Sequence, residues 1–126
     1  MSTKRADVLL VDDDPSLLAI LALALRRAGL SVTPCPTTAK ALAELKRKSF
    51  RWLVTDAQMS PQDGFSLAEE AKRLVPDLRI VMISALCTDR DIEGRPIERL
   101  FSKPVPVEAL VAFLSAGRLN GASPLP

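Results

Sequence analysis

No histidine occurs anywhere in the 126 residues. That absence removes Ser-His-Asp and Cys-His nucleophile activation, imidazole acid–base chemistry and the usual zinc enzymes, so any chemistry must run on carboxylates, hydroxyls and lysine. Cysteine is scarce: Cys35 and Cys87 stand apart with no CxxC spacing, and no secretory signal is expected. Both are expected as reduced thiols that fill core space in a cytoplasmic protein, which excludes a disulfide scaffold. Charge of one sign is not in excess either, with 17 Lys and Arg against 15 Asp and Glu and a net of +2. A basic stripe that tracks phosphates is therefore absent, and no direct nucleic-acid binding is expected. The longest apolar run starts at Leu17 and breaks after nine residues at Arg26. It is too short to cross a bilayer, so a buried helix and no membrane association are expected.

What is present is an ordinary globular composition, 48% hydrophobic and 25% charged, enough for one core without staples. Residues 1–119 are expected to form one domain and 120–126 a flexible C-terminal tail or linker. Val8 to Val11 reads as a strand covered on both faces. Asp14-Pro15 then starts a helix that Gly29 stops. Ser31 to Cys35 is a second strand. Thr37 or Thr38 caps a helix whose inner face carries Ala41, Leu42 and Leu45. Trp52 to Thr55 is a third strand with Trp52 partly buried, and a helix follows from about Phe65 to Val75. Arg79 to Ile83 is a fourth strand, Leu100 to Ser102 a fifth, and Val107 to Leu114 the last helix, with Pro106 at its start. Strand and helix alternate throughout, which argues an α/β fold with a parallel sheet and helices on both faces.

In such a sheet ligands gather at the carboxyl ends of the strands, and there the polar residues collect. Asp12 and Asp13 follow the first strand, Asp56 the third, Ser84 the fourth and Lys103 the fifth. Carboxylates placed together repel unless something positive joins them, and hard oxygen ligands favour Mg²⁺. Lys103 supplies a second cation and Ser84 a hydroxyl.

VLLVDDDP, then TD with MSPQDG downstream, then ISA, then SKP, resemble the CheY-like receiver domain of two-component response regulators over about residues 6–118. The resemblance implies a doubly wound, flavodoxin-like sheet of five strands in the order 2-1-3-4-5. It implies a phosphorelay signalling domain, not an enzyme, with self-catalysed phosphotransfer and dephosphorylation only. Asp56 would be the phosphoacceptor. Asp12, Asp13, Asp56 and the backbone carbonyl of Gln58 would hold Mg²⁺, while Ser84, the backbone amide of Ala85 and Lys103 would bind the phosphoryl oxygens. The implied partners are a sensor histidine kinase or phosphotransfer protein, with a homodimer or a downstream output protein beyond it.

Three features depart from that pattern. Ser60 stands where these domains have proline, with Pro61 one position later. Leu100 occupies the switch position normally held by an aromatic residue; Phe101 is next to it, and the chain has no tyrosine. Ser84 and Lys103 are only 19 positions apart, and Gly94 and Pro96 interrupt the stretch between them, so the fourth helix is expected to be shortened or irregular. Taken singly, several residues have plainer roles: Asp14 as a helix cap, Asp63-Gly64 as turn chemistry, Met59 as packing. The alternative function is a pseudo-receiver, a phosphorylation-independent docking or dimerisation module. An aspartate-nucleophile phosphohydrolase would need a cap domain that 126 residues do not hold. A flavin-binding loop after the first strand would be repelled by three acids.

Overall fold

Val8, Leu9, Leu10 and Val11 are all buried, as a strand covered on both faces requires. In the computed structural model, which describes residues 6–59 and 62–122, they belong to β1 (Ala6–Val11). The other strands are β2 (Val32–Cys35), β3 (Phe50–Asp56), β4 (Arg79–Ser84) and β5 (Arg99–Ser102). All neighbours are parallel and the order is β2-β1-β3-β4-β5, the flavodoxin-like arrangement expected. The register pairs Val11 with Thr55, Asp56 with Ile83 and Ser84 with Ser102. The carboxyl ends of the strands thus finish nearly level, and Asp12, Asp56, Ser84 and Lys103 emerge along one rim.

Among the described residues four helices cover the sheet: α1 (Pro15–Arg27), α2 (Thr38–Arg47), α3 (Gly64–Leu74) and α4 (Val107–Ala122). On one face Leu18, Leu21 and Leu25 of α1 join Leu110 and Leu114 of α4 over Val8, Leu10, Val54, Val81 and Ile83. On the other, Ala41 and Leu45 of α2 join Leu67, Ala68 and Ala71 of α3 over Leu9, Leu53, Ile80 and Met82. Between β4 and β5 the short connection holds only a 3-10 turn, Asp89–Ile92. Asp91 closes it by accepting from the Thr88 amide at 2.7 Å. Gly94 sits at φ +74°, a left-handed residue that ends the turn where a full helix would have had to continue. Ile97 then re-enters the core.

The helix starts follow from their caps. Asp14 accepts from the amides of Ser16 at 3.0 Å and Leu17 at 3.4 Å, Thr37 accepts from Lys40 at 3.1 Å, and Asp63 from Ser66 at 2.9 Å. Each satisfies a donor that the first helical turn leaves open. Asp14→Ala is expected to lower unfolding free energy by about 1 kcal/mol with an unchanged urea slope, and Asp14→Asn to retain most of it. Equal losses in both would remove the capping role.

Several sequence expectations are corrected. The run from Leu17 is not buried all round: Ile20 is 59% and Leu23 50% exposed, because apolar residues at every position wind around the helix while only one side meets the sheet. Trp52 is fully rather than partly buried; Phe113 of α4 covers its ring at 5.5 Å between centroids and the Arg79 guanidinium stacks on it at 4.3 Å. The last helix does not end at Leu114 but runs to Ala122, since glycine costs only about 1 kcal/mol in a helix and no proline intervenes. It enters the stretch expected as a tail; residues 123–126 lie outside the described residues. Cys35 is in the core, and burial pushes its thiol up to about 11. Cys87 is only half-buried. No helix among the described residues is long and apolar enough to cross a membrane.

Candidate functional site

Three carboxylates meet at the rim. Asp12 leaves β1 only 1% exposed and Asp56 ends β3 at 3%, while Asp13 is exposed. One carboxylate oxygen from each lies within 4.8 Å of the others. Asp12 Oδ1 accepts from the Asp14 amide at 2.9 Å; its Oδ2 is buried, has no hydrogen-bond partner among the described residues and faces Lys103 Nζ at 3.5 Å. Asp56 Oδ1 accepts from the Gln58 amide at 3.3 Å, and its Oδ2 lies 3.3 Å from the same ammonium. β5 delivers Lys103 into the cluster, where its own amide donates to the Ser84 carbonyl at 3.0 Å.

Burial raises the Asp12 carboxyl above its ordinary value, and repulsion from Asp56 adds to it; the Asp14 amide and Lys103 pull the other way without cancelling it. For Lys103 burial acts downward, but attraction to Asp12 and Asp56 outweighs it and holds the ammonium above its usual range. The site thus keeps its lysine charged and leaves a carboxylate short of positive partners.

β3 and α3 are fitted closely around Asp56. The Ala57 amide donates to Ile83 and the Gly64 amide to Ala57, each at 2.9 Å, which draws the start of α3 against the end of β3. A Cβ at Gly64 would run into the carbonyl oxygen of Asp56 and sit 2.9 Å from its carbonyl carbon and 3.0 Å from Ala57 Cα. The sequence pointed to Gly64 only as turn chemistry; close approach of two segments distant in sequence leaves no local signal.

Ser84 is fully buried at the end of β4. Its hydroxyl donates to Gln58 Oε1 at 2.9 Å, and its oxygen accepts from the amides of Leu86 at 3.0 Å and Cys87 at 2.9 Å. Gln58 Nε2 in turn donates to Cys87 Sγ at 3.5 Å. The side chain of Gln58 is therefore part of the rim, whereas the sequence had singled out only its backbone carbonyl. Ala85 follows as an exposed residue. Met59 packs on the core, Asp63 is the cap described above, and Ser60 and Pro61 lie outside the described residues. An open groove of about 460 Å³ lies beside the acids, lined by Asp13, Gln58, Met59 and Phe65 among others.

Leu100 and Phe101 point to opposite faces of the sheet. Leu100 is half-buried against the α2–α3 side, and Phe101 is buried on the α1–α4 side with its ring 6.0 Å from that of Phe113. Strand alternation keeps Phe101 from standing in for an aromatic residue at position 100.

The family model described as Response regulator receiver domain matches residues 8–114. The transcriptional regulatory protein GlrR of Escherichia coli (strain K12) is 34% identical over 113 residues, 87% of this chain and 26% of that protein, so the chain spans about a quarter of that relative. The response regulator receiver protein CpdR of Brucella abortus (strain 2308) is 34% identical over 107 residues, 82% of this chain and 89% of the relative. The crystal structure of a CheY-like response regulator receiver domain protein from Methanospirillum hungatei JF-1 has the same fold, with a TM-score of 0.83 at 21% identity over 90% of this chain and 94% of that one.

Proposed function

The chain belongs to the response regulator receiver family of signalling domains, and on that premise we propose that Asp56 accepts a phosphoryl group from a phosphohistidine on a sensor histidine kinase or phosphotransfer protein. The observation that carries this reading is Lys103 Nζ at 3.3 Å from Asp56 and 3.5 Å from Asp12, inside one acid cluster at the strand ends. A carboxylate oxygen of Asp56 attacks phosphorus in line; the new P–O bond forms as the P–N bond breaks, and its electron pair leaves with the imidazole nitrogen. Lys103 pairs with one phosphoryl oxygen, and the Ser84 hydroxyl with the Ala85 amide takes another.

The donor set is all oxygen, with one exposed carboxylate and one buried oxygen without a hydrogen-bond partner among the described residues, and this suits Mg²⁺. Asp12, Asp13, Asp56 and the Gln58 carbonyl would hold it, and when bound it neutralises charge on the transferring oxygens. A docking-only role gives no reason to keep three mutually repelling carboxylates at one rim.

In this reading residues 1–119 act as a cytoplasmic switch. Phosphorylation changes affinity for a second copy or a downstream output protein, and Leu100 holds the switch position with less volume than an aromatic ring. The test is incubation with Mg²⁺ and acetyl phosphate, read by intact mass. The wild type is expected to gain one phosphate, and Asp56→Asn none. Equal gain in both, or no gain in the wild type, would contradict the assignment.

A further inference from the structure

Gln58 touches both halves of the site. Its backbone amide donates to Asp56 Oδ1 at 3.3 Å, and its side-chain oxygen accepts from the Ser84 hydroxyl at 2.9 Å. A hydroxyl has two lone pairs and one proton. Both lone pairs of Ser84 Oγ are taken by the Leu86 and Cys87 amides, at 3.0 and 2.9 Å. Its single proton therefore has one place to go, and in this structure it goes to Gln58. A phosphoryl group on Asp56 would bring strong acceptor oxygens to the same rim, and the proton cannot serve both.

Resting on the reading of Asp56 as phosphoacceptor, we propose that Gln58 is a positioning residue: its side chain holds Ser84 in the resting state, and phosphorylation displaces it. When the hydroxyl turns to the phosphoryl group, Gln58 Oε1 loses its donor and the Leu86 and Cys87 amides lose the oxygen that orders them. The signal then passes through the strand-end loop after β4, which also carries the 78% exposed side chain of Leu86. This route needs no aromatic ring at position 100. Gln58 Nε2, bonded to Cys87 Sγ at 3.5 Å, ties the same loop a second time, so loss of the first contact loosens both.

The test is amide hydrogen exchange at Leu86 and Cys87, followed residue by residue by NMR, in the wild type, Gln58→Leu and Gln58→Glu. Samples are taken with and without acetyl phosphate and Mg²⁺, and the phosphorylated fraction is read by intact mass on each. Gln58 is exposed, so both variants are expected to fold. Without phosphate, Gln58→Leu should exchange about 2- to 10-fold faster than the wild type at these two amides, the size of one net hydrogen bond. Gln58→Glu keeps an acceptor oxygen for Ser84 but loses the donor to Cys87 Sγ, and should exchange at a rate between those of Gln58→Leu and the wild type. In the phosphorylated fraction the wild type should exchange faster than its resting form, while Gln58→Leu should change little. Wild-type rates in resting Gln58→Leu, or exchange in Gln58→Glu as fast as in Gln58→Leu, would overturn the holding role. A fully phosphorylated wild type with unchanged exchange would overturn the displacement. If mass shows no phosphate on the wild type, the Asp56 reading fails, and resting Gln58→Leu against wild type still decides whether Gln58 holds the loop.

Discussion

Asp56→Asn is expected to melt several degrees above the wild type in metal-free buffer, and to lose most of the stabilisation that millimolar Mg²⁺ gives the wild type. The substitution keeps the shape of a 3% exposed side chain and removes its charge from a cluster whose three carboxylates lie within 4.8 Å. It relieves burial of one anion and two like-charge contacts, and gives up one contact with Lys103, which keeps Asp12. A net gain of about 1–2 kcal/mol follows if relief dominates, as it does where buried charges outnumber their partners. The pH dependence has a definite sign. The Asp12 carboxyl in the fold is raised above its ordinary 3.8, so between the two values the native state holds the extra proton, and metal-free stability falls as pH rises through that window. Lys103 is raised above 10.5; its pairing contributes fully below that value and is lost as pH rises through the folded one. Thermal melts followed by circular dichroism in EDTA and in Mg²⁺ at constant ionic strength check this. A lower melting temperature for Asp56→Asn in EDTA, or an equal Mg²⁺ response in both proteins, would contradict it.

Gly64→Ala is expected to cost about 3 kcal/mol or more. The added methyl would meet the Asp56 carbonyl oxygen, its carbonyl carbon and Ala57 Cα. These are backbone atoms of a buried strand, which cannot turn aside as a side-chain tip would. The sign is diagnostic, because in an unobstructed helix the same change stabilises by up to about 1 kcal/mol. α3 must move off β3 to make room, and this disturbs the segment that aims Asp56, so phosphate uptake from acetyl phosphate should fall as well. Urea unfolding gives the first quantity and intact mass the second. A Gly64→Ala protein as stable as the wild type would show that the two segments have slack.

The parts of this molecule legible in its sequence are those governed by local rules. The apolar run Val8 to Val11, the Asp14-Pro15 start of α1 and the spacing of Ala41 and Leu45 each carry their reason within a few residues. The convergence of Asp12, Asp56, Ser84 and Lys103 followed from one further rule, that parallel strands present their carboxyl ends together. What escaped depends on contacts between distant segments. Trp52 is buried because Phe113 covers it, Gly64 is required by the Asp56 carbonyl, and the hydroxyl of Ser84 is engaged by Gln58 across two loops. The exposed Ile20 and Leu23 escaped for another reason: an unbroken apolar run does not reveal which side of the helix meets the sheet.

The proposed assignment of the phosphoacceptor is to Asp56 and to no other residue at the strand ends. It is tested most directly by treating the acetyl phosphate product with borohydride, which reduces an aspartyl phosphate to homoserine, and mapping the peptides by mass spectrometry. Homoserine at position 56 alone is the predicted result; homoserine at Asp12 or Asp13, or phosphate retained on Ser84 with position 56 unchanged, would contradict it.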